Sequence, residues 1–282
     1  MQELLGLSID VFLMLLAVGA AVGFVSAFFG VGGCFLMVPV IITIFSGMGI
    51  DIGIATKVAL GTNMGVVVPT ALSGAIRHSR EIEYPRTHFI RFAIPVTVGS
   101  VIGSVGAFLA PGTMLKVLFG ILCIIGAYRF MTARPKPVDQ LPEADPAKWG
   151  AAGVVSGGTA NFLGIGGGLV YVPMLNTVLS VPARYAVAIS VGTMVIGSSV
   201  GAIMFAALGS LTPASSLPPG SIGWFNIPVF IALGLSSVVF AQLGARATHR
   251  ISPKKFKILL ALVYVYVGLK LTGVLALLGW PY

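Results

Sequence analysis

Apolar positions run along this chain in long blocks, interrupted at intervals by glycine, proline and short polar stretches. Block length and breakers together predict ten segments, near residues 8–30, 34–48, 54–77, 88–110, 113–131, 149–165, 168–181, 184–209, 224–247 and 254–279. Most approach or exceed the roughly 20 residues a helix needs to span a bilayer. The segments at 34–48 and 168–181 hold about 15 residues each, and at about 1.5 Å per residue they reach only part of the way. Whether they cross fully or are re-entrant stays open at this level. A transmembrane barrel would show weaker, alternating stretches of about ten residues. The pattern therefore predicts an all-α polytopic membrane protein.

Both short segments follow a glycine-rich break, and the breaks repeat. The stretch "FFGVGGCFLMVPVI" from Phe28 aligns with "FLGIGGGLVYVPML" from Phe162. Gly30, Gly32, Gly33, Val38 and Pro39 thereby fall on Gly164, Gly166, Gly167, Val172 and Pro173, and Cys34 falls on Gly168. Further on, "ATKVALGT" from Ala55 matches "AVAISVGT" from Ala186, which places Gly61-Thr62 on Gly192-Thr193. "EIEY" from Glu81 roughly matches "SIGW" from Ser221. Three matches in one order imply an internal duplication of five segments per half. Repeat one covers 8–131 and repeat two covers 149–280 within a single transmembrane domain, 1–282. The Pro-rich, charged stretch 132–148 is the hydrophilic linker between them.

Composition fits the segment count. The chain is 57% hydrophobic and 9% charged, with a mean hydropathy of +1.02, whereas a soluble domain carries about 25% charged residues. The net charge of +9 reads as basic residues gathered in cytoplasmic loops rather than as a nucleic-acid surface. The loop after the third segment holds Arg77, His78, Arg80, Arg86 and Arg91, while its counterpart "SLTPASSLPPGSIG" carries no charge. After the fourth segment the bias reverses: "APGT" is uncharged, and the second half has Arg246, Arg250, Lys254, Lys255 and Lys257. Equivalent loops thus prefer opposite sides, so the two repeats are inverted. The linker, with Arg129, Arg134, Lys136 and Lys148, lies inside and both termini outside. The first ten residues lack a basic n-region, so the first segment is expected to stay in the mature protein. Cys34 and Cys123 sit in apolar runs and suggest neither a disulfide framework nor a metal site.

Breaking a helix in lipid frees backbone N–H and C=O groups that must be buried in protein or line a wet cavity. Inverted repeats with interrupted helices point to a secondary transporter's binding site near the midplane. A helix restarting at Gly33 or Gly167 would offer N–H groups and a positive dipole end, which favour an anion. Neutral donors lie close in sequence: Ser26, Thr62 and Asn63 in the first half, Ser156, Thr159, Asn161 and Thr193 in the second. There is no intramembrane carboxylate cluster of the kind a cation site would use. The candidate substrate-binding residues are Gly30, Gly32, Gly33, Cys34, Thr62, Asn63, Asn161, Gly164, Gly166, Gly167, Gly168 and Thr193, with no metal site and no cofactor. Gly99, Gly103 and Gly106 instead read as helix-packing positions. Lys57 and Arg184, at nearly equivalent places by the start of the third and eighth segments, either snorkel to the interface or attract an anion at opposite entrances. Gln242 is a hydrogen-bond partner or part of the route. Lys270 anchors near a headgroup or a cavity. His78, His88 and His249 are expected to be solvated.

At the doubled "GxGGx…VP" pattern, Gly30 to Pro39 and Gly164 to Pro173, and at the paired "GT" elements, the sequence resembles the sulfite exporter TauE/SafE family, also called the toluenesulfonate uptake permeases. The resemblance extends over essentially the whole chain. It implies transport of sulfur-containing anions (sulfite, sulfonates such as taurine or its breakdown products, sulfoacetate, thiosulfate) across a prokaryotic inner or plasma membrane, with proton coupling as an option. Cys34, standing where the second repeat has Gly168, departs from strict equivalence of the half-sites.

A probable exporter working by alternating access is the leading expectation. A carrier for other small organic anions, an anion channel or an assembly partner are the alternatives. An enzyme is not expected: there is no H-E-x-x-H, and the three histidines are scattered. The expected partners are a small sulfur-containing anion and the lipid bilayer, with no nucleic acid; a homo-oligomer is compatible with all of this.

Overall fold

The computed structural model describes residues 3–4, 7–29, 36–81, 84–132, 140–143, 145–247 and 253–277. The chain is helical almost throughout. A two-residue ladder, β1 (Glu3–Leu4) with β2 (Leu7–Ser8), leads into α1 (Ile9–Phe29). Then come α2 (Met37–Gly47), α3 (Ile52–Glu81), α4 (Arg86–Leu109) and α5 (Gly112–Thr132). The second half holds α6 (Pro146–Phe162), α7 (Gly168–Pro173) continued by a π turn over Met174–Val178, and α8 (Ala183–Gly209). A small ladder of β3 (Ser221–Ile222) and β4 (Phe225–Asn226) follows, then α9 (Ile227–Ala247), α10 (Pro253–Thr272) and α11 (Val274–Leu277). The ten predicted segments correspond to α1 through α10, with α11 completing the last.

Among the described residues four stretches are long and apolar enough to cross a membrane: 52–76, 86–109, 112–129 and 183–209. Their outward faces are greasy: Ile94, Ile102 and Leu109 project from α4, and Ile203 from α8. A water-facing surface would not leave such a row uncovered, whereas lipid tails accept it. The protein is an all-α polytopic membrane protein. The linker is shorter than the sequence suggests. Asp145 caps α6 by accepting from the Ala147 N–H at 3.0 Å, and Pro146 fills the first turn, so helix begins before Lys148. His88 is half-buried, not solvated: its Nε2 meets the Pro142 carbonyl at 3.0 Å and its ring packs on Trp149.

Packing pairs α4 with α6, α1 with α9, α3 with α8 and α5 with α10; α8 also touches α4 and α7, and α3 touches α9 and α2. Small residues set the closest of these contacts, as expected where lipid leaves little hydrophobic drive between helices. Gly99 and Gly103 of α4 lie on Val154 and Gly158 of α6, and Gly153 and Gly157 lie on Phe92, Pro95 and Val96. Gly19 and Gly23 of α1 meet Leu233, Ser236 and Ser237 of α9 in the same manner. Gly106 faces the Phe162 ring, so the packing reading holds for all three glycines of "GSVIGSVG".

A Cβ at Gly157 would lie 2.9 Å from the Val96 backbone, whereas one at Gly150 of the same helix would meet nothing within 4 Å. Gly157→Ala is therefore expected to cost about 1–3 kcal/mol through overpacking. Thermal melting in detergent checks this, with Gly150→Ala expected to melt like the parent.

Candidate functional site

The stretch from Leu163 to Gly167 cannot continue α6. Gly164, Gly166 and Gly167 have φ of +60°, +72° and +103°, a region that side-chain-bearing residues adopt only at a cost and glycine adopts freely. The break is wedged between α3 and α8. Gly164 sits on Leu60 and Gly166 on Val67. Asn63 donates from Nδ2 to the Gly164 carbonyl at 2.7 Å, and the Ser198 hydroxyl donates to the Gly166 carbonyl at 3.3 Å. These contacts satisfy backbone carbonyls that the break would otherwise leave unpaired in a dry interior. They fall near the middle of α3 and of α8, and so near the midpoint of membrane-length helices.

The restart differs from the expected one. α7 keeps six α-helical residues, ending with Pro173, and the chain then widens into a π turn in which the Leu179 N–H donates to the Met174 carbonyl at 3.0 Å. The Tyr171 ring, fully buried, also lies directly over Gly167. Side chains therefore carry the polar chemistry of this region.

Those side chains come from α3, α4, α6, α7 and α8. Asn161 donates from Nδ2 to Ser100 Oγ at 2.7 Å and to the Gly157 carbonyl at 3.1 Å. Its Oδ1 faces Gly201 and has no hydrogen-bond partner. Asn63 Oδ1 is likewise buried and unpartnered. The Tyr171 hydroxyl faces Ser100 without a well-directed hydrogen bond. A Cβ at Gly197 would sit 2.8 Å from that hydroxyl and 3.3 Å from Ser100 Oγ, so both converge on one bare point of α8. Thr193, one turn before Gly197 on the same face, is fully buried with Oγ1 unpartnered. Buried polar atoms without partners are rare and each costs about 1–3 kcal/mol. Four such atoms lie on the helices around this break.

Thr62 is engaged within the protein. Its Oγ1 accepts the Asn226 N–H at 2.9 Å and so anchors the β3–β4 hairpin. Gly168 opens α7 and is buried. Gly30, Gly32, Gly33 and Cys34 lie outside the described residues, as do the side chains of Ser26, His78, His249 and Gln242. Ser100, Tyr171, Ser198, Gly197 and Gly201 belong to the site although the sequence reading did not single them out.

Two aromatic residues close the ends of the α3/α8 pair. At one end Trp224, on the turn between β3 and β4, lies on Gly61 and Gly209; its N–H donates to the Phe205 carbonyl at 3.2 Å. At the other, Tyr84 lies on Gly192 and its hydroxyl donates to the Ala188 carbonyl at 3.3 Å. Burial pushes the Tyr84 hydroxyl up to about 12, so it remains a neutral donor at physiological pH. Lys57, half-buried, donates to the Phe108 carbonyl at 2.9 Å and stands 4.4 Å from the Trp224 ring centroid. Arg184 is exposed and covers its own neighbour Tyr185. The two cations are not equivalent: the register that pairs Gly61 with Gly192 pairs Lys57 with Ala188.

The chain is similar to curated proteins of matching length. It is 30% identical to a probable membrane transporter protein of Methanocaldococcus jannaschii, covering 91% of this chain and 93% of that one. It is 24% identical to a probable membrane transporter protein of Haemophilus influenzae and 23% identical to probable membrane transporter protein YunE of Bacillus subtilis, each over 92% of this chain and 97% of the relative. No solved structure matches it. With ten helical segments, a polar break at mid-membrane and a match to the sulfite exporter TauE/SafE family model over residues 15–271, the chain belongs to that family of membrane transporters.

Proposed function

We propose that this protein is a secondary transporter, working as an exporter, for small sulfur-containing anions such as sulfite, organosulfonates or sulfoacetate. The observation that carries the reading is the set of buried, unpartnered polar atoms on the helices around the Gly164–Gly167 break: the hydroxyls of Tyr171 and Thr193 and the amide oxygens of Asn63 and Asn161. Hydroxyls can donate to the oxygens of a tetrahedral anion. The amide oxygens can accept from a hydrogen the cargo carries, such as the O–H of hydrogen sulfite or the ammonium of taurine. The set is neutral, so one negative charge enters without a like charge to oppose it.

The two halves are inverted repeats that rock against one another. Exchanging α1–α5 for α6–α10 turns α4 on α6 into α9 on α1, and α4 on α8 into α9 on α3, and leaves α3 on α8 and α5 on α10 unchanged; all of these pairs occur. Thr43 donates to the Pro39 carbonyl at 2.8 Å, and its register partner Thr177 donates to the Pro173 carbonyl at 2.6 Å. The loop charges put the Tyr84 end in the cytoplasm, the Trp224 end and both termini outside, and the protein in the cell membrane.

Reconstituted vesicles preloaded with sulfite are expected to show saturable counterflow of labelled sulfite. Purified protein is expected to gain about 2.7 kcal/mol of stability at a sulfite concentration 100 times Kd. Acetate matching sulfite in both measurements would move the reading to a general organic-anion carrier. Flux without saturation or counterflow would make the protein a channel.

A further inference from the structure

We propose that Lys57 and Trp224 form a second anion station on the route to the site, in which the ammonium holds a small oxyanion and the indole is its displaceable cover; this deepens the transporter reading above and rests on it. Lys57 lies six residues before Asn63 on α3, about 9 Å along the axis. Its charge sits within the 52–76 stretch that is long enough to cross a membrane. Charges at such positions are costly, and they mark ion and substrate pathways.

The surroundings leave the charge unanswered. An ammonium has three donors. One goes to the Phe108 carbonyl at 2.9 Å, in the last turn of α4, where helix carbonyls lack internal partners. The remaining contacts are aromatic: the Trp224 ring at 4.4 Å and the Phe108 ring at 6.0 Å. Among the described residues no carboxylate pairs with Lys57. An aromatic face attracts a cation without cancelling its charge, so an arriving anion can replace the indole and still find the full positive charge.

Trp224 is placed to be that cover. It stacks on Phe108 at 5.5 Å and meets Phe205 at 6.1 Å, and its Nε1 donates to Thr212 Oγ1 at 3.0 Å. Its backbone covers Gly61, between Lys57 and Asn63. An anion moving from Lys57 toward the Gly164 break therefore has to pass Trp224. Among the described residues the opposite end lacks this cation–indole pairing: Ala188 takes the place of Lys57, and Tyr84 offers its carbonyl partner only a neutral hydroxyl. The asymmetry puts an aromatic-covered ammonium at the Trp224 end and a tyrosine hydroxyl at the Tyr84 end.

The test uses iodide, an anionic quencher, and acrylamide, a neutral one, on Trp224 fluorescence in a W149F/W280F protein. The iodide quenching constant is expected to fall about tenfold in Lys57→Gln, as a focused anion concentration is lost. Acrylamide quenching should stay unchanged, and Lys57→Arg should retain most of the iodide effect. Equal iodide constants in Lys57 and Lys57→Gln proteins would overturn the proposal. Should the double Trp variant fail to fold, the fluorine signal of 5-fluorotryptophan at position 224, assigned by Trp224→Phe in the full chain, must shift with iodide in the parent and stay still in Lys57→Gln; an unmoved parent signal overturns the proposal equally. Sulfite is expected to protect Trp224 from iodide. Lys57-dependent iodide quenching that neither sulfite nor taurine relieves would uphold the station and sink the sulfur-anion reading of the cargo.

Discussion

Gly167→Ala is expected to cut sulfite counterflow by tenfold or more while the protein still inserts in the membrane, and Gly47→Ala is expected to leave counterflow unchanged. The difference comes from two costs that only Gly167 carries. Its φ of +103° is open to glycine and strained for alanine, at about 1–3 kcal/mol. Its added Cβ would also run into the Tyr171 ring, with Cδ2 at 2.7 Å. That ring has no room to retreat, because it is fully buried and packed edge-on against Phe92 at 5.8 Å. Overpacking of this kind adds about 1–3 kcal/mol. Either cost alone is near the 1.4 kcal/mol that makes a tenfold change in a population, and the population at stake is the one in which the break presents Tyr171 and Gly166 to α8. Gly47, near the end of α2, has no positive φ and open space where a Cβ would go. Parent-like counterflow and melting in Gly167→Ala would remove the break from the mechanism.

The helices were legible because lipid makes the code simple. A stretch must be apolar and long, and glycine or proline must mark its ends. The second break was legible for the same reason: three glycines in four residues cannot be a quiet helix, and all three have positive φ. The partners of the break were not legible. Asn63 reaches Gly164 across 101 residues, and Asn161 reaches Ser100 across 61. Nothing local distinguishes Ser100 from Ser104, since both stand in the same glycine-rich repeat. Tyr171 carries no signal of its own in the motif, because an aromatic in an apolar run reads as core. Its misfit shows only when its hydroxyl is found buried without a partner. The β3–β4 hairpin straddles the predicted start of the ninth segment at 224. Gly223 at φ +55° and the Asn226 side chain, which accepts from the Val229 N–H at 3.0 Å, turn the chain there instead. Asparagine two residues before Pro228 is the local signal that could have found the turn.

Thr62 and Thr193 occupy the same place in the two halves and are expected to respond oppositely to valine. Valine matches threonine in shape and removes only the hydroxyl. In Thr62→Val the buried Asn226 N–H loses its acceptor, so stability should drop by about 1–3 kcal/mol. Sulfite affinity measured on the folded fraction should change little. In Thr193→Val no protein contact is lost, because Oγ1 has no partner. The empty protein should melt at the parent temperature or above it, since a buried polar atom without a partner is itself a cost. Sulfite binding should weaken, and by more than a surface contact would explain: a hydrogen bond to a charged group is worth about 1.5–3 kcal/mol, or roughly 10- to 150-fold in Kd. Tyr171→Phe should follow Thr193→Val, because its buried hydroxyl faces Ser100 without a well-directed hydrogen bond. A purely structural role predicts stability changes and intact binding for all three. Unchanged sulfite affinity in both Thr193→Val and Tyr171→Phe would mean that the unpartnered hydroxyls are not waiting for the anion. The pair is informative because its members share register, burial and chemistry, and differ only in whether the protein already supplies the bond.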